Sequence, residues 1–366
     1  MKFTAPKEVL LRGIQSVQTV IDSKAVQPIL SHILIKAATD NLVLTATDFN
    51  VGIITTIPVK PAIVGAITVP AKKLSEIIKE LPDGEVVSIS VKKNNIINIE
   101  CGNSSFKIMG LPEEEFSKPP EFKDKNYITL KRARLKTMLR RTSFATGHDE
   151  IRHVLNGILF ILKPSGLRLV ATDGRCLAMI EEKMQLPKTL EGKFILPSKA
   201  VGELDRILAD DDGEVKMLVA EKQVMFDTGA TKLVSRLIEG EFPNYERVIP
   251  EEAKEKITIS RQALLAGIKR VALFTSPDSM FVRVDAARDK MVLSKSDPHM
   301  GEARVELIAQ YKGKELSIGF NPDYLVSLLK SIDQETIALE LVDAEKPGVV
   351  RIADEYVYVV MPRQPS

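Results

Sequence analysis

Gly166-Leu-Arg-Leu-Val-Ala-Thr-Asp-Gly-Arg-Cys-Leu-Ala178 is the stretch on which the reading of this chain turns. Leu167, Leu169 and Ala171 alternate with Arg168, Val170 and Thr172, the period of a strand. Asp173-Gly174 then breaks the run as a turn, Gly supplying backbone freedom. A second apolar run starts at Cys176. The stretch has a twin: Asn41-Leu-Val-Leu-Thr-Ala-Thr-Asp-Phe-Asn-Val-Gly-Ile53 carries the same Leu-x-Leu-x-Ala-Thr-Asp core, 125 residues earlier from Asp48 to Asp173. An aspartate written twice at equivalent positions is expected to bond turn N–H groups rather than to catalyse.

Working outward, the repeat extends. Pro70-Ala-Lys-Lys-Leu-Ser-Glu-Ile-Ile-Lys-Glu-Leu81 reads as a helix with Pro at its start, and it recurs as Pro197 to Leu208 and as Asn321 to Ile332. Short strands precede all three, and Phe116 recurs as Phe242. Each unit opens with another amphipathic helix, expected over 8–21, 128–147 and 260–274. Between helices lie runs of Val, Ile, Leu and Thr that read as antiparallel strands. Polar, Pro-bearing segments at 117–125 and 249–256 are candidate linkers. The fold class is therefore α+β, three tandem units with two helices each on an antiparallel sheet. The boundaries are expected at 1–125, 126–252 and 253–366. A period near 125 is too long for a solenoid.

Length agrees, since 366 residues exceed one core at about 150 residues per domain. Hydrophobic content of 44% and charged content of 27% are those of a globular protein. No apolar run reaches the roughly 18 residues of a membrane span, and Met-Lys-Phe-Thr-Ala-Pro-Lys-Glu is too polar for a signal peptide. Cys101 and Cys176 fall in strand-like runs and suit a reducing, cytoplasmic setting.

Charge is unevenly placed. The chain is nearly neutral, with 51 cations and 49 anions, yet the six expected helices hold 16 Lys and Arg against six Asp and Glu. The remainder holds 35 cations and 43 anions. A basic helical layer backed by acidic sheets points to a polyanion on the helical side. With no Trp, no zinc spacing and no basic run interleaved with aromatics, contact is expected with phosphates and not with bases. Candidate phosphate contacts are Lys24, Lys73, Arg132, Arg140, Arg141 and Lys199. Catalytic and cofactor signals are thin. His148 and His153 lack a metal-ligand spacing, and Gly192-Lys193 and Gly313-Lys314 lack the Ser or Thr of a phosphate loop. No enzyme, metal or cofactor is expected.

Several phrases, in this order and spacing, resemble the bacterial sliding clamp family, the beta subunit of DNA polymerase III. They are Met1-Lys-Phe, Pro28-Ile-Leu, Ala46-Thr-Asp48, Val69-Pro-Ala-Lys72, Leu155-Asn-Gly157, Ala171-Thr-Asp-Gly174, Phe242-Pro243 with Tyr245 and Arg247, and Tyr358-Val-Val-Met-Pro362. The resemblance covers the whole chain. It implies a head-to-tail homodimeric ring of six similar domains, helices inside and sheets outside, that encircles duplex DNA and tethers the replicative polymerase without catalysis. It implies that Lys24 touches DNA, and that Phe106 meets Leu273 and Phe274 of a partner. It also implies a pocket for short peptides of clamp-binding proteins, among them the polymerase and the clamp loader. That pocket is expected at Leu155, Thr172, Gly174, Arg175, Leu177, Pro243, Arg247, Val248, Val359, Val360 and Met361. Arg363-Gln-Pro-Ser366 departs from the family's apolar tail, so partner preference is expected to differ. The competing readings are a protein-interaction scaffold that encircles nothing and a hydrolase using Asp173.

Overall fold

The computed structural model describes every residue except 22–26, 93, 121, 123–125, 149–150, 254 and 364–366. The first repeat runs β1 (Lys2–Pro6), α1 (Lys7–Gln18), β2 (His32–Ala37), β3 (Leu42–Thr47), β4 (Val51–Ile57), β5 (Gly65–Pro70), α2 (Ala71–Glu80), β6 (Val86–Val91), β7 (Ile96–Cys101) and β8 (Ser104–Met109). The second runs β9 (Ile128–Lys131), α3 (Arg132–Arg140), β10 (Gly157–Lys163), β11 (Gly166–Thr172), β12 (Cys176–Lys183), β13 (Gly192–Pro197), α4 (Ser198–Ile207), β14 (Glu214–Val219), β15 (Gln223–Asp227) and β16 (Thr231–Arg236). The third runs β17 (Lys256–Ser260), α5 (Arg261–Ala272), β18 (Val282–Ala287), β19 (Lys290–Asp297), β20 (Gly301–Gln310), β21 (Leu316–Phe320), α6 (Pro322–Ser331), β22 (Thr336–Glu340), β23 (Gly348–Ile352) and β24 (Tyr356–Val360). Each repeat is thus a β-α-β-β-β half written twice, a division inside the 125-residue period that the sequence reading did not resolve.

All six expected helices form, each ending short of its expected span and α3 most of all, at Arg140, with Ser143–Ala145 a separate 3-10 turn. Residues 128–131 are strand β9 and not the start of a helix. Ile128 and Leu130 alternate with Thr129 and Lys131, and Ile128 lies opposite Met217, Leu130 opposite Val215. Period two and a waiting partner edge decide it. The helix apolar faces are as the spacing predicts. In α1, Leu10, Ile14 and Val17 are fully buried, and Gly13 between them lets the helix approach the sheet. A Cβ there would lie 2.9 Å from Leu44 Cδ1. Gly267 of α5 repeats this against Leu293.

The strands do not stop at repeat boundaries. Described residues pack as two compact units, Met1–Lys136 with Lys199–Leu237 and Thr137–Ser198 with Ile238–Ser366, so the middle repeat is shared between them. The first unit holds the sheet β1-β6-β7-β8 and an eight-stranded sheet β5-β2-β3-β4-β16-β15-β14-β9. Its seam is β4 against β16, with Val51 opposite Ser235. The second unit holds a twelve-stranded sheet, β13-β10-β11-β12-β24-β23-β22-β17-β20-β19-β18-β21. Here the seam between repeats is β12 against β24, with Cys176 opposite Val360.

The Thr-Asp turns do what their repetition implies. Asp48 Oδ1 accepts from Asn50 N at 3.0 Å and Val51 N at 2.7 Å. Asp173 Oδ1 accepts from Arg175 N at 2.7 Å and Cys176 N at 2.8 Å. Asp297 is a third copy, accepting from His299 N at 2.9 Å and Met300 N at 3.1 Å. The first two turns place Phe49 (φ 74°) and Gly174 (φ 87°) in the left-handed region. Both Asp173 oxygens are thus engaged within the fold: Oδ1 closes the turn, and Oδ2 accepts from Tyr324 Oη at 2.7 Å.

Gly110 follows β8, where Leu111 N bonds Thr68 O and so ties the end of the repeat to β5. A Cβ there would fall against the Thr68 carbonyl oxygen, with Ile67 Cγ1 and Ile97 Cδ1 each 2.9 Å away. Gly110→Ala is expected to cost about 2 kcal/mol, because backbone cannot yield as a side chain does. Chemical denaturation of parent and variant checks this.

Candidate functional site

A cleft of about 550 Å³ opens in the second unit beside the Asp173 turn. Four segments wall it: Ile151 to Leu155 ahead of β10, the β11–β12 turn, the stretch after β16, and the end of β24. Of the residues expected from the sequence, Leu155, Thr172, Gly174, Arg175, Leu177, Pro243, Val248, Val359 and Met361 line it. Two do not. Val360 is the next residue along β24 from Val359, so its side chain takes the opposite face, where it is buried. Arg247 is exposed and outside the lining, although Tyr245 and Val248 on either side belong to it.

The floor is apolar and rigid. Leu155, Leu177, Val359 and Tyr245 are buried in one cluster with Leu159, Val170, Ile195, Phe242 and Val349. The rim is apolar and open: Val248 is 48% exposed, Met361 44% and Ile151 88%. Such side chains in water have a use only when something covers them. Polar groups ring this surface. Thr172 Oγ1 donates to Cys176 O and accepts from Gly174 N at 3.0 Å, which fixes the corner. Met361 N bonds Arg175 O at 2.8 Å and pins the chain end across the turn. Arg152 and Arg175 place two cations on the lining.

The segment bearing Pro243, Asn244 and Tyr245 is held from behind by Arg168. Its Nε and Nη2 donate to Glu181 Oε2 at 2.9 and 2.7 Å, and its Nη1 donates to Tyr245 Oη at 3.1 Å and Glu246 Oε1 at 3.4 Å. Burial works against the Arg168 charge, and Tyr245 and Glu181 more than restore it. Cys176 also lines the cleft, but burial and the nearby Asp173 carboxylate push its thiol well up, so it stays protonated and unreactive. The expected set lacked Ile151, Arg152, His153, Val154, Cys176, Glu239, Asn244 and Tyr245, which also line the cleft. Tyr245 stood inside the quoted Phe242-Pro243 phrase and Cys176 just past the Asp173 turn; the others lie in irregular segments or, for His153 and Val154, in a single 3-10 turn, where periodicity carries no signal.

The candidate phosphate contacts fare unevenly. Lys24 lies outside the described residues. Lys73 is exposed beside Glu76 at 2.9 Å, and Lys199 reaches Asp48 at 2.5 Å. Arg140 pairs with Asp333 at the surface. Arg132 bonds Asp211, Glu214 O and Thr228 O, which makes it a tie between α3 and the loops around β14 and β15. Arg141 is a correction. Its side chain is 7% exposed, paired with Glu355 at 3.1 Å and lying over the Tyr356 ring, so no phosphate reaches it. Arg12, Lys269 and Arg270 are exposed and enter no ion pair among the described residues. The expected partner contacts are accessible: Leu273 is 76% exposed, and Phe106 and Phe274 are partly so. Among the described residues no group of His, Cys, Asp and Glu is arranged to hold a metal, and no helix is long and apolar enough to cross a membrane.

Asp173 makes the cleft pH-sensitive in one direction. Burial raises its carboxyl, but bonds from Tyr324 and from Cys176 and Arg175 N–H outweigh that and hold it below the usual aspartate range. A carboxylate so depressed contributes stability above its unfolded value of about 3.9 and loses it as pH falls through the folded value. Asp173→Ala is expected to cost about 2 kcal/mol at neutral pH. In thermal melts the gap between parent and variant should hold from pH 8 to 5 and close below about pH 4.

Comparison with known proteins follows this geometry. Three family descriptions match in tandem: the DNA polymerase III beta subunit N-terminal domain over residues 1–120, its central domain over 129–244 and its C-terminal domain over 246–364. The beta sliding clamp of Chlamydia pneumoniae is 32% identical over 362 residues, covering 99% of this chain and 98% of its own. That of Pseudomonas aeruginosa is 33% identical over 365 residues, covering 99% of each. Among solved structures, the Bacillus subtilis DNA polymerase sliding clamp superposes with a TM-score of 0.95 at 28% identity over 100% of both chains. The Pseudomonas aeruginosa clamp bound to griselimycin gives 0.94 at 32%, covering 100% of this chain and 99% of that one. With matches that run end to end through all three repeats, the chain belongs to the DNA polymerase III beta subunit family, the beta sliding clamps.

Proposed function

We propose that two copies of this chain close head to tail into a ring around duplex DNA and tether the replicative polymerase, without catalysing a reaction. The domains are taken as 1–125, 126–252 and 253–366. The observation that carries the ring is a pair of open strand edges. Among the described residues one edge of β8 has no partner strand, and β20 is paired on that side only at Ala309 and Gln310, leaving 301–308 unpaired. Met109 and Ile308 on these strands are 61% and 91% exposed, and Met300, just before β20, is 44% exposed. Unpaired edges with apolar side chains invite a further strand. Head-to-tail closure satisfies both at once. Size argues for two chains. Six helices packed about 8–10 Å apart close a circle only about 15–19 Å across, too narrow once a helix's own thickness of about 10 Å is removed. Twelve give about 31–38 Å by the same spacing.

Phosphate contact is assigned to Lys24, Lys73 and Arg140 and to Arg12, Lys269 and Arg270, which enter no ion pair among the described residues, while Lys199 is held by Asp48 and is set aside. Surface ion pairs are worth little and exchange readily with phosphate, which suits sliding. The cleft beside Asp173 takes a short extended peptide from the polymerase, the clamp loader and other partners. Its Leu, Val, Pro and Met surface suits apolar anchors, while Thr172, Arg152 and Arg175 orient the strand. The tail, residues 364–366, for which a shift in partner preference is expected, lies outside the described residues.

The parent is expected to sediment as a dimer and to be retained on closed circular DNA but not after linearisation. Leu273→Asp, which would bury an unpaired charge against the partner's Phe106, should give monomers and lose retention. A parent that sediments as a monomer, or equal retention on linear DNA, rules the ring out. Separately, Leu177→Asp combined with Val248→Asp should weaken a Gln-Leu-x-Leu-Phe-type peptide by 100-fold or more in fluorescence titrations while the dimer survives. Undiminished affinity would move the peptide site elsewhere.

A further inference from the structure

Inside the chain, two repeat-to-repeat seams are built alike, down to one hydrogen bond. At β4–β16, Asp48 gives Oδ1 to its own turn, and its Oδ2 accepts from Lys199 Nζ at 2.5 Å. Lys199 is the second residue of α4, the helix of the half-repeat that ends in β16. At β12–β24, Asp173 gives Oδ1 to its turn and its Oδ2 accepts from Tyr324 Oη at 2.7 Å. Tyr324 is the third residue of α6, the helix of the half-repeat that ends in β24. In each seam, a first-turn side chain of that helix latches the aspartate turn leading into the strand across from it.

The third turn is set but not latched. Asp297 Oδ1 accepts from His299 and Met300, while its Oδ2 has no donor among the described residues. The strand it introduces is β20, with its open edge. Among the described residues the other last strand of a half left open is β8, which ends the half-repeat of α2, whose second and third residues are Lys72 and Lys73. Lys73 is engaged with Glu76, whereas Lys72 is exposed and enters no ion pair among the described residues.

Register follows from the same equivalence. In both seams the third residue after the aspartate faces a strand residue three before a fixed backbone bond. Val51 faces Ser235, three before Ile238, whose N bonds Ile195 O; Cys176 faces Val360, three before Arg363, whose N bonds Gly319 O. The matching bond in the first repeat is Leu111 N to Thr68 O, which selects Ile108.

Resting on the head-to-tail reading, we infer that Asp297 of one protomer is latched by the partner's Lys72, with Met300, the residue before β20, opposite the partner's Ile108. The partner surface is thus a second copy of this chain, joined by a seam of the kind it already contains twice. Asn at 297 keeps the Oδ1 acceptor for the turn and removes only the charge on the latch.

Asp297→Asn, Lys72→Met and the double variant are compared with the parent for dimer dissociation by sedimentation at low salt. Each single change is expected to weaken the dimer about tenfold, and the double no further than either single, as for a close interfacial charge pair. For register, Ser105→Cys with Ala303→Cys should oxidise to covalent dimers, whereas Ser105→Cys with Val305→Cys should not. A dimeric parent whose singles add independently, a neutral Lys72→Met, or cross-linking in the second pairing overturns this inference and leaves the ring standing. A monomeric parent overturns the ring itself, and this seam with it.

Discussion

A strand without a neighbour leaves a row of N–H and C=O groups unpaired, and the whole architecture follows from how this chain closes such edges. In each repeat the first strands of the two halves change places, so that in the first β5 completes β2-β3-β4 and β1 completes β6-β7-β8, and each four-stranded sheet keeps an open side. Pairing the last strand of one half with the last strand of another removes two edges together. The chain does this at β4–β16 and β12–β24. Sheets therefore run across repeat boundaries, and the compact units cut the middle repeat instead of falling between repeats. Continuity of hydrogen bonding, more than any loop, joins one repeat to the next.

The parts visible in the sequence were those carried by local pattern. Ala46-Thr-Asp48 and Ala171-Thr-Asp173 announced the period, and helix spacing located α1, α2, α4, α5 and α6. What escaped notice depended on partners far along the chain. Ile128 to Lys131 is too short to show a clear alternation, and becomes a strand because β14 offers an edge. Arg140 and Arg141 look equivalent side by side, yet only Arg141 turns inward, to Glu355, 214 residues away. The third aspartate turn was hidden by substitution. Lys295 stands where the other repeats have Ala46 and Ala171, buried with its Nζ 2.5 Å from Ser279 Oγ and over the Phe281 ring at 3.8 Å. Burial pulls that amine below the usual lysine range. The cleft was legible at its floor, because Leu177 and Val359 follow strand alternation. Its Ile151 wall was not, since an irregular segment has no period to read.

The cleft has the firm base that the proposed peptide capture calls for. Its base is continuous with the sheet core through Val170 and Val349. Only the rim side chains have freedom to lose on binding, so the ordering cost falls on the visitor more than on the host. Arg168 extends this rigidity to the Tyr245 wall by a charge-assisted pair with Glu181, which leaves the guanidinium geometry little slack.

Three turns share one aspartate device but differ in the residue that follows it: Phe49, Gly174 and Pro298. Phe49 holds a left-handed conformation that costs an ordinary side chain energy, and its ring, 41% exposed, stands over that corner. Proline brings a ring of its own. Only the glycine corner opens on the cleft, with Arg152 Nη1 2.9 Å from where a Cβ would stand. Repetition by three therefore does not give threefold valency: on the proposed reading a dimer of this chain has two such clefts. Proteins sharing the cleft on that reading take turns, their shares set by free concentration divided by Kd.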